Sequence, residues 1–210
     1  ALPLPVLEEL EGVLKEFQGM GAGIMEISHR SGAFMAVAES AEAKLRSLMK
    51  IPEDYSVLML QGGASLQFYM SALNLLAPED GADFIVTGAW SEKALKEAKR
   101  VSRSAAVWTP SDGVFNRVPA DGSYMLSSDA RYVHYTTNNT IFGTQFQTVP
   151  NVGDKPLIAD MSSDICSRRV DVNKHAVIYA GAQKNLGPSG VTVVILSPWA
   201  LERSRAINAA

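Results

Sequence analysis

Residues 175-HAVIYAGAQKNLGPSG-190 decide how this chain is read. The first seven are almost wholly apolar, rich in β-formers and closed by Gly181, as suits a short buried strand. The next nine carry glycine, proline, serine and asparagine and read as a compact loop, with Lys184 near its start. A strand that delivers a lysine into such a loop can bring an amine into a partly desolvated place, where it attacks an aldehyde more readily. The same pattern also describes an ordinary exposed loop lysine, so its neighbours must decide.

Further strand candidates are 55–60 (YSVLML), 82–87 (ADFIVT), 104–108, 131–136, 156–161 and 191–196. Helical periodicity covers 66–76 and 90–101. It also covers 4–18, where Leu7, Leu10, Leu14 and Phe17 share a face, and 33–49, through Phe34, Val37, Ala41, Leu45 and Leu48. Short apolar strands alternating with helices imply an α/β domain with a mostly parallel sheet. Segments 110–130 and 143–155 read as long connections. No internal repeat or low-complexity tract is present.

Composition narrows the function classes. The 210 residues are 47% hydrophobic and 20% charged, with a net charge of −3. That is ordinary for a globular domain and gives no basic field for nucleic acid or an anionic membrane. The longest apolar runs are too short to span a bilayer, and ALPLPVLEEL lacks the basic start of a signal peptide. A single cysteine, Cys166, excludes an internal disulfide and is read as a small apolar residue. A start at Ala1 and an end in ERSRAINAA are those expected of a partial sequence.

In an open α/β sheet the ligand lies beyond the carboxyl ends of the strands. Those ends carry QGGAS, TGAW, YTTNNT, ADMSSD and GAQKN. In 61-QGGASLQF-68 two glycines lead into a helix, so backbone N–H groups and the helix dipole can face an anion, with Ser65 as a hydroxyl donor or cap. Trp90 can stack on a flat ring or simply anchor the core. Asp160 ends a buried strand, where a carboxylate needs a metal, an N–H donor or a cationic ring nitrogen; no His/Cys set at metal spacing lies nearby. His29 and Arg30 precede a helix, and the planar Arg fork suits a carboxylate or phosphate. His134 reads as a packing or orienting residue and His175 as the start of a strand.

Six stretches, 26-EISHRSGAF-34, 61-QGGASLQF-68, 88-GAWSEKALKEA-98, 132-YVHYTTNNTIFGTQ-145, 159-ADMSSD-164 and 180-AGAQKNLGPSGVT-192, resemble in order the motifs of the phosphoserine aminotransferases. These belong to class V of the fold-type I enzymes that use pyridoxal 5′-phosphate (PLP). The resemblance implies a three-layer α/β/α large domain over 1–210, with the family's N-terminal glycine-rich segment and C-terminal small domain outside it. It implies transamination between L-glutamate and 3-phosphohydroxypyruvate in serine, and in many bacteria pyridoxine, biosynthesis, by a cytoplasmic homodimer. Lys184 becomes the lysine that holds PLP, Asp160 the partner of the pyridine nitrogen and Trp90 the ring stacker. Ala64, Ser65 and Gln183 hold the cofactor phosphate, and Thr140 bonds near the ring oxygen. Arg30 binds the substrate carboxylate, with His29 near its phosphate. Many members read NET where this chain has Asn138, Asn139 and Thr140, and some carry arginine in place of Ser65. Without the rest of the family's length, these residues alone are expected to bind PLP poorly. The competing readings are an alanine–glyoxylate aminotransferase or cysteine desulfurase of the same class, and a non-catalytic α/β binding module.

Overall fold

A computed structural model describes residues 2–209. The chain divides into two compact units at Ile51/Pro52. In the first, α1 (Leu4–Lys15) and α2 (Gly32–Met49) are joined by a glycine-rich turn. A Cβ on Gly23 would lie 2.0 Å from the Leu14 carbonyl oxygen, so only glycine lets the turn return against α1. The Ser31 hydroxyl caps α2 by accepting the Phe34 N–H, and left-handed Lys50 ends it. Phe17, Leu45, Met49 and Ile51 are buried. Leu7 and Leu14 share the stripe read from the sequence yet stay largely exposed, because a helical stripe marks a face without saying what covers it.

The second unit is built on a seven-stranded sheet of order β1-β9-β8-β7-β4-β2-β3. The strands are β1 (Ser56–Leu60), β2 (Gly81–Ile85), β3 (Ala105–Trp108), β4 (Ala130–Thr136), β7 (Leu157–Asp160), β8 (Val177–Gly181) and β9 (Thr192–Leu196). All seven fall on the sequence-predicted runs. Two-residue β5 (Asn138–Asn139) and β6 (Thr144–Gln145) form a separate hairpin that the periodicity did not show. In the seven-stranded sheet β9 is antiparallel to its neighbours β1 and β8, and the other pairings are parallel. The fold is therefore α/β with a mostly parallel sheet, as expected.

Helices α3 (Gly63–Leu75), α4 (Ala89–Ala98) and α5 (Pro198–Asn208) pack on one face of the sheet. Phe68, Ala72, Leu75, Ala94, Ala98 and Ala200 meet Phe84, Tyr132, Ile158, Val177, Tyr179 and Val194 there. These residues are one half of each strand's two-residue alternation, and in β7 and β8 the other half is buried as well. On the other face Tyr135 packs edge-on against Phe146, and its hydroxyl meets His175 Nε2 at 2.8 Å. Helix α5 was not read from ERSRAINAA, although Ser197 caps it and Pro198 opens it. Asp80, buried before β2, takes the Ala77 N–H and pairs with Arg131 of β4 and Arg203 of α5, tying three elements together.

Candidate functional site

The pairing register aligns the strand ends into one rim. Leu60 stands beside Thr192, Thr192 beside Gly181, Asp160 beside Tyr179 and beside Thr136, and Tyr135 beside Ile85. Lys184 reaches this rim because β8 and β9 are adjacent and antiparallel, so a loop rather than a crossover joins them. The loop closes through Ala182 N–H to the Val191 carbonyl (2.9 Å). One helical turn follows, with the Leu186 and Gly187 N–H groups both on the Ala182 carbonyl.

Lys184 Nζ donates to Thr140 Oγ1 at 2.7 Å and lies 5.4 Å from the centre of the Trp90 ring. Trp90 sits in the first turn of α4, with Lys93 Nζ 4.4 Å from its ring centre. Its buried indole N–H has no partner among the described residues. Asp160, 4% exposed, closes β7. Its Oδ1 accepts both the Ser162 N–H (3.0 Å) and the Ser162 hydroxyl (2.6 Å), while Oδ2 has no donor among the described residues. Burial pushes this carboxyl upward from the usual range, against the opposing pull of the Ser162 hydrogen bonds and the Lys184 charge. A buried carboxylate with one free oxygen suits a cationic N–H partner.

On the β1 side of the rim, Gly62 (φ 94°) and Gly63 (φ 65°) make the turn into α3. A Cβ on Gly62 would strike the Leu66 side chain at 2.4 Å. The helix starts three residues before the sequence-predicted 66, with Gly62 as cap, so Ser65 lies inside the first turn and does not cap. The N–H groups of Gly63, Ala64 and Ser65 find no acceptor among the described residues and stay open toward an anion. Gln183 is exposed, and its Oε1 would lie 2.7 Å from a Cβ on Gly181, so its side chain sits over that glycine.

The structure therefore brings Lys184, Thr140 and Trp90 into direct contact, with Asp160 electrostatically coupled to Lys184. Ala64, Ser65 and Gln183 stand on the same rim by register. His29 and Arg30 belong to the first unit, in an exposed turn before α2, and their side chains make no hydrogen bond or ion pair among the described residues.

Sequence reading passed over the residues that hold these in place. Ser162 fixes Asp160 and also accepts the Gly181 N–H at 3.1 Å, linking β7 to β8. The Asp-x-Ser spacing of 160–162 is the signal that could have found it. Asp164 accepts the Thr137 hydroxyl, and the Thr137 N–H donates to the Asp160 carbonyl (3.0 Å). His134 is buried with Nε2 2.8 Å from the Tyr179 hydroxyl, and desolvation lowers its pKa to about 3, so it is a neutral packing residue as read. Cys166 is half-buried with its pKa raised by burial, unlike an activated thiol. A groove of about 830 Å³ opens at the opposite, amino end of the strands between Asp54, His175 and Trp199, but none of the rim residues lines it.

A mostly parallel open sheet with a lysine, an indole, a buried carboxylate and an open helix N-terminus on its carboxyl rim defines an α/β domain with a candidate ligand site there. The class-V aminotransferase family matches residues 1–209, and the chain belongs to that family. It is 50% identical over 208 residues to a phosphoserine aminotransferase of Pseudomonas fluorescens, covering 99% of this chain and 57% of that protein. A phosphoserine aminotransferase structure from Bacillus circulans subsp. alkalophilus superposes with a TM-score of 0.92 at 44% identity, covering 96% of this chain and 56% of the other. A PLP-bound phosphoserine aminotransferase from Trichomonas vaginalis gives a TM-score of 0.90 at 35% identity, covering 100% and 61%. The chain thus spans a little over half the length of such relatives. No helix among the described residues is long and apolar enough to cross a membrane.

Proposed function

We propose that this chain is the cofactor-binding part of a phosphoserine aminotransferase that uses PLP. Its reaction is amino transfer between L-glutamate and 3-phosphohydroxypyruvate, giving O-phospho-L-serine and 2-oxoglutarate. The observation that carries this reading is Lys184 Nζ held on Thr140 and over Trp90, with Asp160 coupled to it. Its likeness to phosphoserine aminotransferases at about half identity supports the substrate class. Serine biosynthesis, a contribution to pyridoxine biosynthesis, a cytoplasmic location and a homodimer are parts of the same proposal.

The residues fit the cofactor. Asp160 Oδ2 lacks a donor and would take the N–H of a pyridinium ring. The free N–H groups of Ala64 and Ser65, with Gln183, would hold its phosphate. Trp90 would cover the ring, and Thr140 would bond its ring oxygen. When bound, PLP supplies an electron sink for charge that develops at the substrate Cα.

Within that frame Lys184 Nζ would hold the cofactor aldehyde, and as a free amine it would act as base and acid for the substrate Cα proton, a role worth roughly 10²–10⁴-fold in rate. Its contact with Thr140 Oγ1 aims it, beside the face of Trp90. Asp160 keeps the ring nitrogen protonated. Arg30 and His29, whose side chains make no hydrogen bond or ion pair among the described residues, are the proposed holders of the substrate carboxylate and phosphate.

The test is a half-reaction followed by absorbance. The full-length protein that carries this chain is loaded with PLP and mixed with O-phospho-L-serine, L-alanine or L-cysteine. Phosphoserine should bleach the visible band, and Lys184→Ala should neither form that band nor turn over. Faster bleaching by alanine or cysteine would replace the substrate assignment with that of another class-V enzyme. A protein that never develops the band would contradict the cofactor reading.

A further inference from the structure

We propose that Asn139 is a positioning residue that holds the cofactor-facing Trp90 and Thr140 in one arrangement. This rests on the cofactor reading above and adds a residue to it. Asn139 is 0% exposed. Its Oδ1 accepts the Trp90 N–H at 3.2 Å, in the first turn of α4. Its Nδ2 donates to Thr87 Oγ1 at 2.7 Å, just past β2, and the Thr87 carbonyl is held in turn by the Thr144 hydroxyl at 2.6 Å. Its own carbonyl accepts the N–H groups of Phe142 (3.2 Å) and Gly143 (2.9 Å), closing the turn that presents Thr140. One buried residue thus joins the end of β2 and the start of α4 through its side chain, and the turn after β5 through its main-chain carbonyl. Two of those three carry a group that touches Lys184.

Gly88 shows that the fit is tight from the other side. A Cβ there would lie 2.7 Å from Asn139 Cβ, Cγ and Oδ1, so glycine leaves the only room for the amide to reach α4. The orientation of the amide is not free either. Oδ1 must face a backbone donor and Nδ2 a hydroxyl, so a side chain with one acceptor toward Trp90 keeps the link, whereas an apolar one of the same size breaks it. A buried amide with both ends used has a positional role, because reorienting it would leave two buried groups unpaired.

The test compares Asn139→Leu and Asn139→Asp in the full-length protein that carries this chain, by two readouts. The first is hydrogen exchange at the Trp90 amide, measured by NMR without PLP. The second is PLP affinity by titration. The leucine variant should lose about tenfold of the Trp90 protection and bind PLP about tenfold more weakly. The aspartate variant still accepts from Trp90 and can take the Thr87 hydroxyl proton, so despite the cost of its buried charge to overall stability it should keep more of the Trp90 protection and of the PLP affinity than the leucine variant. If the leucine variant does not fold, Thr87→Val removes only the far anchor and should shift both readouts in the same direction by about threefold. Unchanged Trp90 exchange, or lost protection with unchanged PLP affinity, would overturn the proposal. If the parent itself binds no PLP, the cofactor reading fails, and a tenfold exchange loss in the leucine variant alone still upholds Asn139 as the residue that positions Trp90.

Discussion

Asp160 shows at the residue scale how function and stability pull apart. Burial raises the affinity of its carboxyl for a proton, while Ser162 and Lys184 favour the charged form without fully offsetting that. A folded-state pKa above the unfolded value means that the group's contribution to stability is present at low pH and is lost as pH rises through the folded value. Asp160→Asn should therefore raise the unfolding midpoint of the cofactor-free protein at neutral pH, since an amide still accepts from Ser162 and carries no buried charge. The same change should weaken PLP binding by about 10–100-fold, the worth of one charge-assisted hydrogen bond. Parallel thermal melts and PLP titrations check both, and a variant that is less stable and binds PLP normally would contradict this account. The sequence showed the acid at the strand end, and periodicity explained its burial. Which oxygen is taken and which is free depends on Ser162 two residues on, and on β8 beside it.

The elements were legible where one physical signal dominated. All seven long strands were visible because each is a short apolar run closed by turn residues. The β5–β6 hairpin is two residues a strand and has no period to detect. Helix α5 was missed because its exposed face is charged and it buries little beyond Ala200, although its cap was in plain view. Ser197 is itself buried, its hydroxyl accepts the Ala200 N–H at 3.3 Å, and Pro198 fixes the first turn. Ser197→Ala should cost about 1 kcal/mol of stability, read from the urea midpoint. An unchanged midpoint would mean that packing on α3, and not the cap, starts the helix. The start of α3 moved for a different reason. Two successive positive-φ glycines turn the chain sharply enough for the helix to begin at Gly63, leaving Ser65 in its first turn.

Across the whole molecule, two histidines are sealed under opposite faces of the same sheet. Desolvation lowers His134 to about 3, and His175 to about 4 against a partial opposing pull from Asp171. Unfolded histidine titrates near 6.5, so the unfolded chain binds more protons below that pH. Their contribution is complete above about 6.5 and is lost as pH falls through about 4 and about 3. Within that window each should cost about 1.4 kcal/mol of stability per pH unit. Urea unfolding at pH 7.5 and 5.5, with imidazole NMR titration, tests this; protonation of either ring near pH 6 in the folded protein would refute it.

The sequence by itself determined the α/β class, the strand set, and the residue types gathered at the carboxyl ends of the strands. Those follow from local pattern, since apolar period, turn chemistry and the chirality of connections act within short stretches of chain. Only the tertiary structure decided that Lys184 rests on Thr140 and beside Trp90, positions 44 and 94 residues away. It also decided that Asp160 keeps one free oxygen, and that Asn139 spans 49 residues to meet the Trp90 N–H. Those contacts depend on strand order and register, and a hydrogen bond between distant residues leaves no periodic trace in the chain that makes it.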